Sequence, residues 1–184
     1  MLTPMMGNTL PDGVTWAADT GCFAAPERFD PLTYLGWLAR YQADAGRCLF
    51  ATMPDVVGDA AATLAKVQPW PRIIRGLGYK PALVAQDGLE SRPVPWDDFD
   101  ALFIGGSTAW KLGEAATMLV RAARERGKWV HAGRVNSLRR LRHVAWQGAQ
   151  SADGTFVAFG PNVNLPRMRG WIEAMNRQPM LGGL

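Results

Sequence analysis

Short apolar runs alternate with longer amphipathic stretches along almost the whole chain. Six such runs are TWAAD, RCLFAT, PALVAQ, ALFIGG, KWVHAG and AQSADG. Most are continuously apolar rather than alternating with polar residues, which is typical of strands buried on both faces of a parallel sheet. We therefore predict a strand in each run, and the opening residues MLTP are a candidate for one more short strand.

The stretches between these runs carry apolar residues at helical spacing. The clearest case contains Leu112, Leu119 and Val120, with Gly127 at the position of a helix C-cap. The other predicted helices cover about 31–43, 59–67 with a further turn to 77, 137–147 and 165–176.

Repeated strand–helix units predict an α/β fold with parallel strands and right-handed crossovers. Such a chain forms either an open doubly wound sheet or a (β/α) TIM-type barrel, and the hydrophobic period does not distinguish them. No linker or internal repeat divides the 184 residues. We expect a single domain over 1–184, with 178–184 as a frayed tail.

Composition narrows the class of protein only moderately. The chain is 48% hydrophobic and 20% charged, with a formal charge of +4. No apolar run approaches the roughly 20 residues of a membrane span, and no signal-peptide pattern opens the sequence, so we expect a cytoplasmic protein without a membrane partner. The only two cysteines, Cys22 and Cys48, fit neither a disulfide framework nor a zinc site and are predicted to be buried thiols.

The predicted strands end in polar residues or glycines. These are Asp19, Asp55, Gln86 with Asp87, Gly105 with Gly106, His131 with Gly133 and Arg134, and Asp153. An open sheet uses only the strand ends at its switch point, whereas a barrel draws its site from the whole rim. Candidate residues at every end therefore favour the barrel. The alternative is that acids and glycines merely turn the chain and cap helices, as we expect for Asp59.

The residue types at these ends indicate a class of chemistry. Several acids without His/Cys ligand spacing favour acid/base or nucleophilic carboxylate work over zinc catalysis, and carboxylate pairs are usual for glycosidic bonds. An Asp, a Gln and the N–H groups of a Gly-Gly pair can bind the edge of a purine, while nearby arginines can hold phosphate. No phosphate-binding glycine loop, nucleophile elbow or HExxH motif is present.

In this order, the motifs resemble those of the tRNA-guanine transglycosylase family, a TIM barrel that exchanges guanine for 7-deazaguanine bases. The similar segments are ADTGCF, ATMPDVVGD, LVAQDG, IGGSTAWKLG and HAGRVNSLRRLRHVAWQGAQSADGT. They span about 16–171 and all follow the family order.

The resemblance implies a role for each matching residue. Asp153 is then the nucleophile and Asp19 the acid/base group, without a metal or other cofactor. The base-binding residues are Asp55, Gln86, Gly105 and Gly106. Apart from the resemblance, the basic side chains near these motifs predict the phosphate contacts, which are Arg134, Arg139, Arg140 and Lys111.

This chain also departs from the family pattern. The tRNA enzymes are longer and carry a Cys-Cys-Cys-His zinc site, which two cysteines cannot form. The short zinc-free form resembles the branch that inserts 7-deazaguanines into DNA in bacteria, mobile elements and phages. DNA is therefore the expected partner, tRNA the alternative, and 7-cyano-7-deazaguanine a candidate incoming base.

Three questions stay open from the sequence. A non-catalytic relative that binds nucleic acid, and a nucleosidase or deoxyribosyltransferase acting on free nucleosides, are the alternative functions. Whether so short a chain closes a complete barrel is a further question, and a homodimer or a partner subunit is one way to complete the rim.

Overall fold

The computed structural model describes residues 1–4, 9–21 and 26–177, and the predicted strands are all present in it. They are β1 (Trp16–Ala18), β2 (Cys48–Thr52), β3 (Pro81–Ala85), β4 (Ala101–Ile104), β5 (Trp129–Ala132) and β6 (Ser151–Ala152). Cys22 and the predicted tail 178–184 lie outside the described residues.

Seven α-helices occur in the described ranges. They are α1 (Pro31–Arg40), α2 (Ala60–Val67), α3 (Trp70–Gly76), α4 (Thr108–Lys111), α5 (Glu114–Glu125), α6 (Leu138–Gln147) and α7 (Pro161–Arg177). Two boundaries differ from the prediction. After α1 the chain tightens into a 3₁₀ helix (Gln42–Arg47), and α7 starts at Pro161, a residue suited to a first helical turn.

All six strands are parallel, and their order in the sheet follows their order in the chain. A doubly wound sheet reverses its strand order at a switch point, and this sheet has no such reversal. Leu2 forms a single parallel bridge with Ala18 on the outer edge of β1. The predicted strand at MLTP is therefore present as one bridge.

The sheet is strongly curled, as the side chains on its inner face show. The ring centroids of Phe50 on β2 and His131 on β5 are 5.1 Å apart, and those of Phe103 on β4 and His131 are 4.8 Å apart. Three strand spacings separate β2 from β5, or about 14 Å in a flat sheet. The 5.1 Å contact requires the inner face to be concave.

The outer face carries the main hydrophobic core, because helices cover it. Leu83 and Val130 of the sheet lie in one buried cluster with Tyr34 of α1, Ile74 of α3 and Val120 of α5. Alternate strand positions thus point to the helices and to the concave side, so every second residue near a strand end faces the interior.

Two local predictions are confirmed, one for Asp59 and one for Cys48. Asp59 caps α2, since its Oδ1 accepts from the backbone N–H of Ala62 at 2.9 Å. Cys48 is a buried free thiol, and burial raises its pKa to about 12. Within the described residues, no helix is long and apolar enough to cross a membrane.

Candidate active site

A small cavity of about 130 Å³ lies where the strands end on the concave side. Its lining comes from all six strand ends: Asp19, Asp55, Val57, Val84, Gln86, Phe103, Gly105, Arg134 and Asp153. It is below the roughly 300–1,000 Å³ of sites for drug-sized ligands, which favours one small planar group. A larger cavity of about 700 Å³ lies at the opposite ends of the strands, and its lining includes four basic side chains and one acidic side chain.

Asp19 follows β1 and faces the cavity. The Thr52 hydroxyl donates to Asp19 Oδ1 at 3.0 Å and accepts the backbone N–H of Thr20, also at 3.0 Å. Burial, with the nearby charges of Asp153 and Asp55, raises the pKa of Asp19 from 3.8 to about 6. Asp19 therefore exchanges protons close to neutral pH, as a general acid/base must.

Asp55 and Gln86 form a buried pair after β2 and β3. The Gln86 amide nitrogen donates to Asp55 Oδ2 at 2.6 Å, and burial raises the pKa of Asp55. The Gln86 oxygen accepts the backbone N–H groups of Gly58 at 2.9 Å and Gly106 at 3.1 Å. Two backbone donors on this oxygen fix the amide orientation, because a flipped amide would place nitrogen against N–H.

The glycine pair after β4 stands against this Gln86 amide. A Cβ on Gly105 would lie 2.9 Å from Gln86 Nε2 and from Val84 Cγ1, so the backbone approach requires glycine. Gly106 has a φ of +46°, in the left-handed region that favours glycine. Its N–H, expected from the sequence to contact a base directly, here donates to Gln86.

Asp153, the first residue after β6, accepts a hydrogen bond on each carboxylate oxygen. The Arg134 backbone N–H donates to Oδ1 at 2.7 Å, and His131 Nε2 lies 3.4 Å from Oδ2. Burial acts to raise the pKa of Asp153, but the hydrogen bond and charge of His131 and the Arg134 N–H hold it below its usual value. Asp153 is therefore ionised at neutral pH.

The carboxyl groups of Asp19 and Asp153 are thus tuned in opposite directions within one cavity. The environment favours protonation of Asp19 and ionisation of Asp153. Paired groups whose pKa values are driven apart in this way indicate separate acid and nucleophile roles.

Arg134, predicted to contact phosphate, is part of the cavity lining itself. Its φ is +59°, and it is the sole non-glycine residue with positive φ in the described ranges. Such strain is stored mainly at functional sites. The guanidinium donates to the carbonyls of Gly105 and Gly106, so Arg134 ties the glycine pair to Asp153.

The other predicted phosphate contacts occupy different environments. Lys111 is buried, and its ammonium donates to the Gly133 carbonyl. Burial, followed by the charge of Arg134, lowers the pKa of Lys111 to about 8. This placement does not present Lys111 to a phosphate. Arg139 is exposed and Arg140 half-buried in the first turn of α6, and their phosphate role stays a prediction.

Two functional-looking contacts were missed at the sequence level. Asp87, which received no role there, accepts from the Ser107 N–H and hydroxyl, both at 2.6 Å, and so anchors the glycine loop. His131 had no assigned partner, although the alternation of Trp129, His131 and Gly133 places it on the same face as the site. Within the described ranges, no three His, Cys, Asp or Glu side chains are placed to hold a metal ion.

Comparison with known proteins adds no family assignment. No protein-family model matches the chain, and no curated protein matches it either. The likeness to tRNA-guanine transglycosylases therefore stays a prediction from the sequence motifs.

Proposed function

We propose that this protein is a guanine transglycosylase that replaces guanine in a nucleic acid, preferentially DNA, with a 7-deazaguanine base. The observation that carries the proposal is the opposed tuning of Asp19 and Asp153 on one small cavity that Asp55 and Gln86 also line. The proposed fold is an incomplete TIM-type barrel. The curled parallel sheet in chain order supports it.

The base fits the cavity by its shape and donors. A flipped-out guanine is planar and offers N–H donors at one edge, for which the buried Asp55 carboxylate is the acceptor. Gln86 holds Asp55 in place through the 2.6 Å hydrogen bond. Gly105 lets the loop lie directly against the cavity wall, since any Cβ at this position would meet Gln86 and Val84.

The first half of the reaction cleaves the glycosidic bond. A carboxylate oxygen of Asp153 attacks C1′, the C1′–N9 bond breaks, and its electron pair goes to guanine. Protonated Asp19 supplies the proton that neutralises the leaving base. The products of this half are free guanine and a glycosyl ester of Asp153.

The second half reverses these roles. The Asp19 carboxylate takes the N9 proton of the incoming base, N9 attacks C1′, and the ester C–O bond breaks to regenerate the Asp153 carboxylate. The electron and proton counts close without a redox step. An incoming base such as 7-cyano-7-deazaguanine fits this sequence because it retains the guanine edge.

DNA is the preferred polymer, and the protein is proposed to act in the cytoplasm. Arg139 and Arg140 in the first turn of α6 follow the segment that carries Arg134, beside the cavity. They can hold the phosphates next to a flipped nucleotide. A second copy or a partner subunit could extend the rim beyond β6, the last strand in the described ranges.

A base-exchange assay tests the proposal. Purified protein is incubated with radiolabelled guanine or 7-cyano-7-deazaguanine and either DNA or tRNA, beside D153A and the distant control D100N. Asp100 lies at the opposite end of the strands, in an ion pair with Arg75. Label in DNA that is lost with D153A and kept with D100N supports the proposal.

The other outcomes revise or reject it. Label in tRNA alone changes the substrate. Release of base from free nucleosides, with no label in either polymer, indicates a nucleosidase. Binding of base or DNA without exchange or hydrolysis indicates a non-catalytic relative.

A further inference from the structure

A line of hydrogen bonds runs along the concave face below the cavity and ends at Asp153. Trp129 Nε1 donates to Ser151 Oγ at 2.9 Å, and Ser151 Oγ lies 2.8 Å from His131 Nδ1. His131 Nε2 is 3.4 Å from Asp153 Oδ2. The four side chains come from β5, β6 and the residue after β6, which pair in parallel.

The donors and acceptors that these side chains carry fix the direction of the hydrogen bonds at the two ends of the line. The Trp129 indole can only donate, so Ser151 Oγ accepts from it. At the other end of the line, the carboxylate oxygen of Asp153 can only accept, so the 3.4 Å contact places a proton on His131 Nε2.

Packing holds the imidazole in this orientation. His131 is 3% exposed, and its ring lies against Phe50 and Phe103. Rotation of the ring would break the Ser151 contact and push a polar nitrogen against an aromatic face. The imidazole is thus held without direct contact with the cavity, whose lining does not include it.

We propose that His131 is the positioning residue for Asp153, holding the carboxylate by an Nε2–H···Oδ2 hydrogen bond while the Arg134 N–H holds Oδ1. The proposal rests on the proposed function only for the reaction that Asp153 performs. No proton moves along the line. The His131 N–H stabilises the carboxylate when the glycosyl ester breaks and the electron pair returns to Asp153.

Other charges also act on Asp153, and the test must separate them from His131. Those that face it are Asp19 after β1, Arg134 after β5, Lys111 on α4 and the N-terminal amine. The variants below change only His131 or its neighbour Ser151, so these charges are constant in every comparison.

The experiment compares H131F, H131Q and S151A with the wild-type protein in base exchange. H131F keeps an aromatic ring between Phe50 and Phe103 but has no donor, and we expect its kcat to fall about 10-fold. The KM for the incoming base should not change. The amide of H131Q can donate near the Nε2 position, so this variant should recover part of kcat. The kcat of S151A should fall less than that of H131F.

The pH profile gives a readout that a merely structural role would not change. Loss of the N–H donor should move the acid limb of kcat in H131F to higher pH, with partial return in H131Q. Unchanged kcat and an unchanged acid limb in folded H131F would overturn the proposal. Equal losses in H131Q and H131F would also overturn it.

NMR separates this proposal from the proposed function. ¹⁵N spectra should show a proton on His131 Nε2, and ¹³C titration should show a higher Asp153 pKa in H131F. Both NMR results are expected even if the wild-type protein exchanges no base. Absence of base exchange would reject the proposed transglycosylase reaction but not the positioning role of His131. A His131 Nε2 without a proton, or an Asp153 titration unaffected by H131F, would reject the positioning role.

Discussion

The opposed tuning of Asp19 and Asp153 predicts that one isosteric change in the cavity stabilises the protein while the other destabilises it. The charged form of Asp19 is disfavoured, because its pKa rises from 3.8 to about 6 on folding. Since one pKa unit corresponds to about 1.4 kcal/mol, ionised Asp19 opposes folding by about 3 kcal/mol. Partial solvent access at the cavity lowers the expected effect to about 2 kcal/mol.

The sign depends on pH. Between about pH 4 and pH 6 folded Asp19 binds more protons than unfolded Asp19, so its contribution to stability falls as the pH rises through this window. Above it, the full penalty is present. D19N removes the charge but keeps an oxygen that can accept from Thr52, so it should be more stable than wild type by about 2 kcal/mol at pH 8. The difference should vanish below pH 4.

D153N is the matched comparison, since it makes the same chemical change in the same cavity. The pKa of Asp153 is held low on folding, so its charge contributes stability above the unfolded pKa, which is lost as the pH falls through the folded value. D153N should therefore be less stable than wild type at pH 8 and approach it at low pH.

Urea unfolding at pH 8 and pH 4, followed by the fluorescence of the eight tryptophans, measures both effects. D19N should also lose base exchange, which would make Asp19 a case of stability given up for function. If D19N is no more stable than wild type at pH 8, or if both variants change stability with the same sign, the assignment of acid and nucleophile is wrong.

Three further predictions follow from the same contacts. Q86L leaves the exposed Gly58 N–H and the buried Gly106 N–H without their acceptor. Loss of the acceptor for the one buried donor should lower the free energy of unfolding by about 1–3 kcal/mol and weaken base binding, as urea unfolding and base titration will show; a fully stable variant would contradict this network. G105A should lower the free energy of unfolding by about 1–3 kcal/mol, because its Cβ meets Gln86 and Val84. The control G36A, on the exposed face of α1, should raise the free energy of unfolding by about 0.5–1 kcal/mol. Equal effects of the two variants in urea unfolding would refute the close approach. R139A and R140A should each reduce by about 0.9 the steepness with which the logarithm of the DNA association constant falls against the logarithm of salt concentration, as fluorescence anisotropy will measure. K111M, which changes a buried lysine, should leave this salt dependence unchanged.

Much of the fold could be predicted from the sequence because its signal is local. Continuous apolar runs mark the strands, and the acid or glycine that follows each run marks its exit from the core. The starts of α1 and α2 were also readable, because Asp30 and Asp59 are side-chain caps that act over three residues. The curl of the sheet was not readable, since it depends on Phe50 meeting His131 across two intervening strands.

The same distinction between local and distant contacts separates the site residues that could be predicted from those that could not. Asp19, Asp55, Gln86 and Asp153 were found because each stands at a strand end, and the strand ends meet at one rim. Arg134 and Lys111 were assigned from charge alone, and charge does not reveal that one donates to the Gly106 carbonyl and the other is buried against Gly133. A basic residue close to a strand end can either contact an external phosphate or donate to backbone carbonyls within the site. Only the backbone conformation decides between these two roles. At Arg134 the left-handed φ aims the backbone N–H at Asp153 and the guanidinium at the glycine pair, so one strained residue links Asp153 to the loop that borders the cavity.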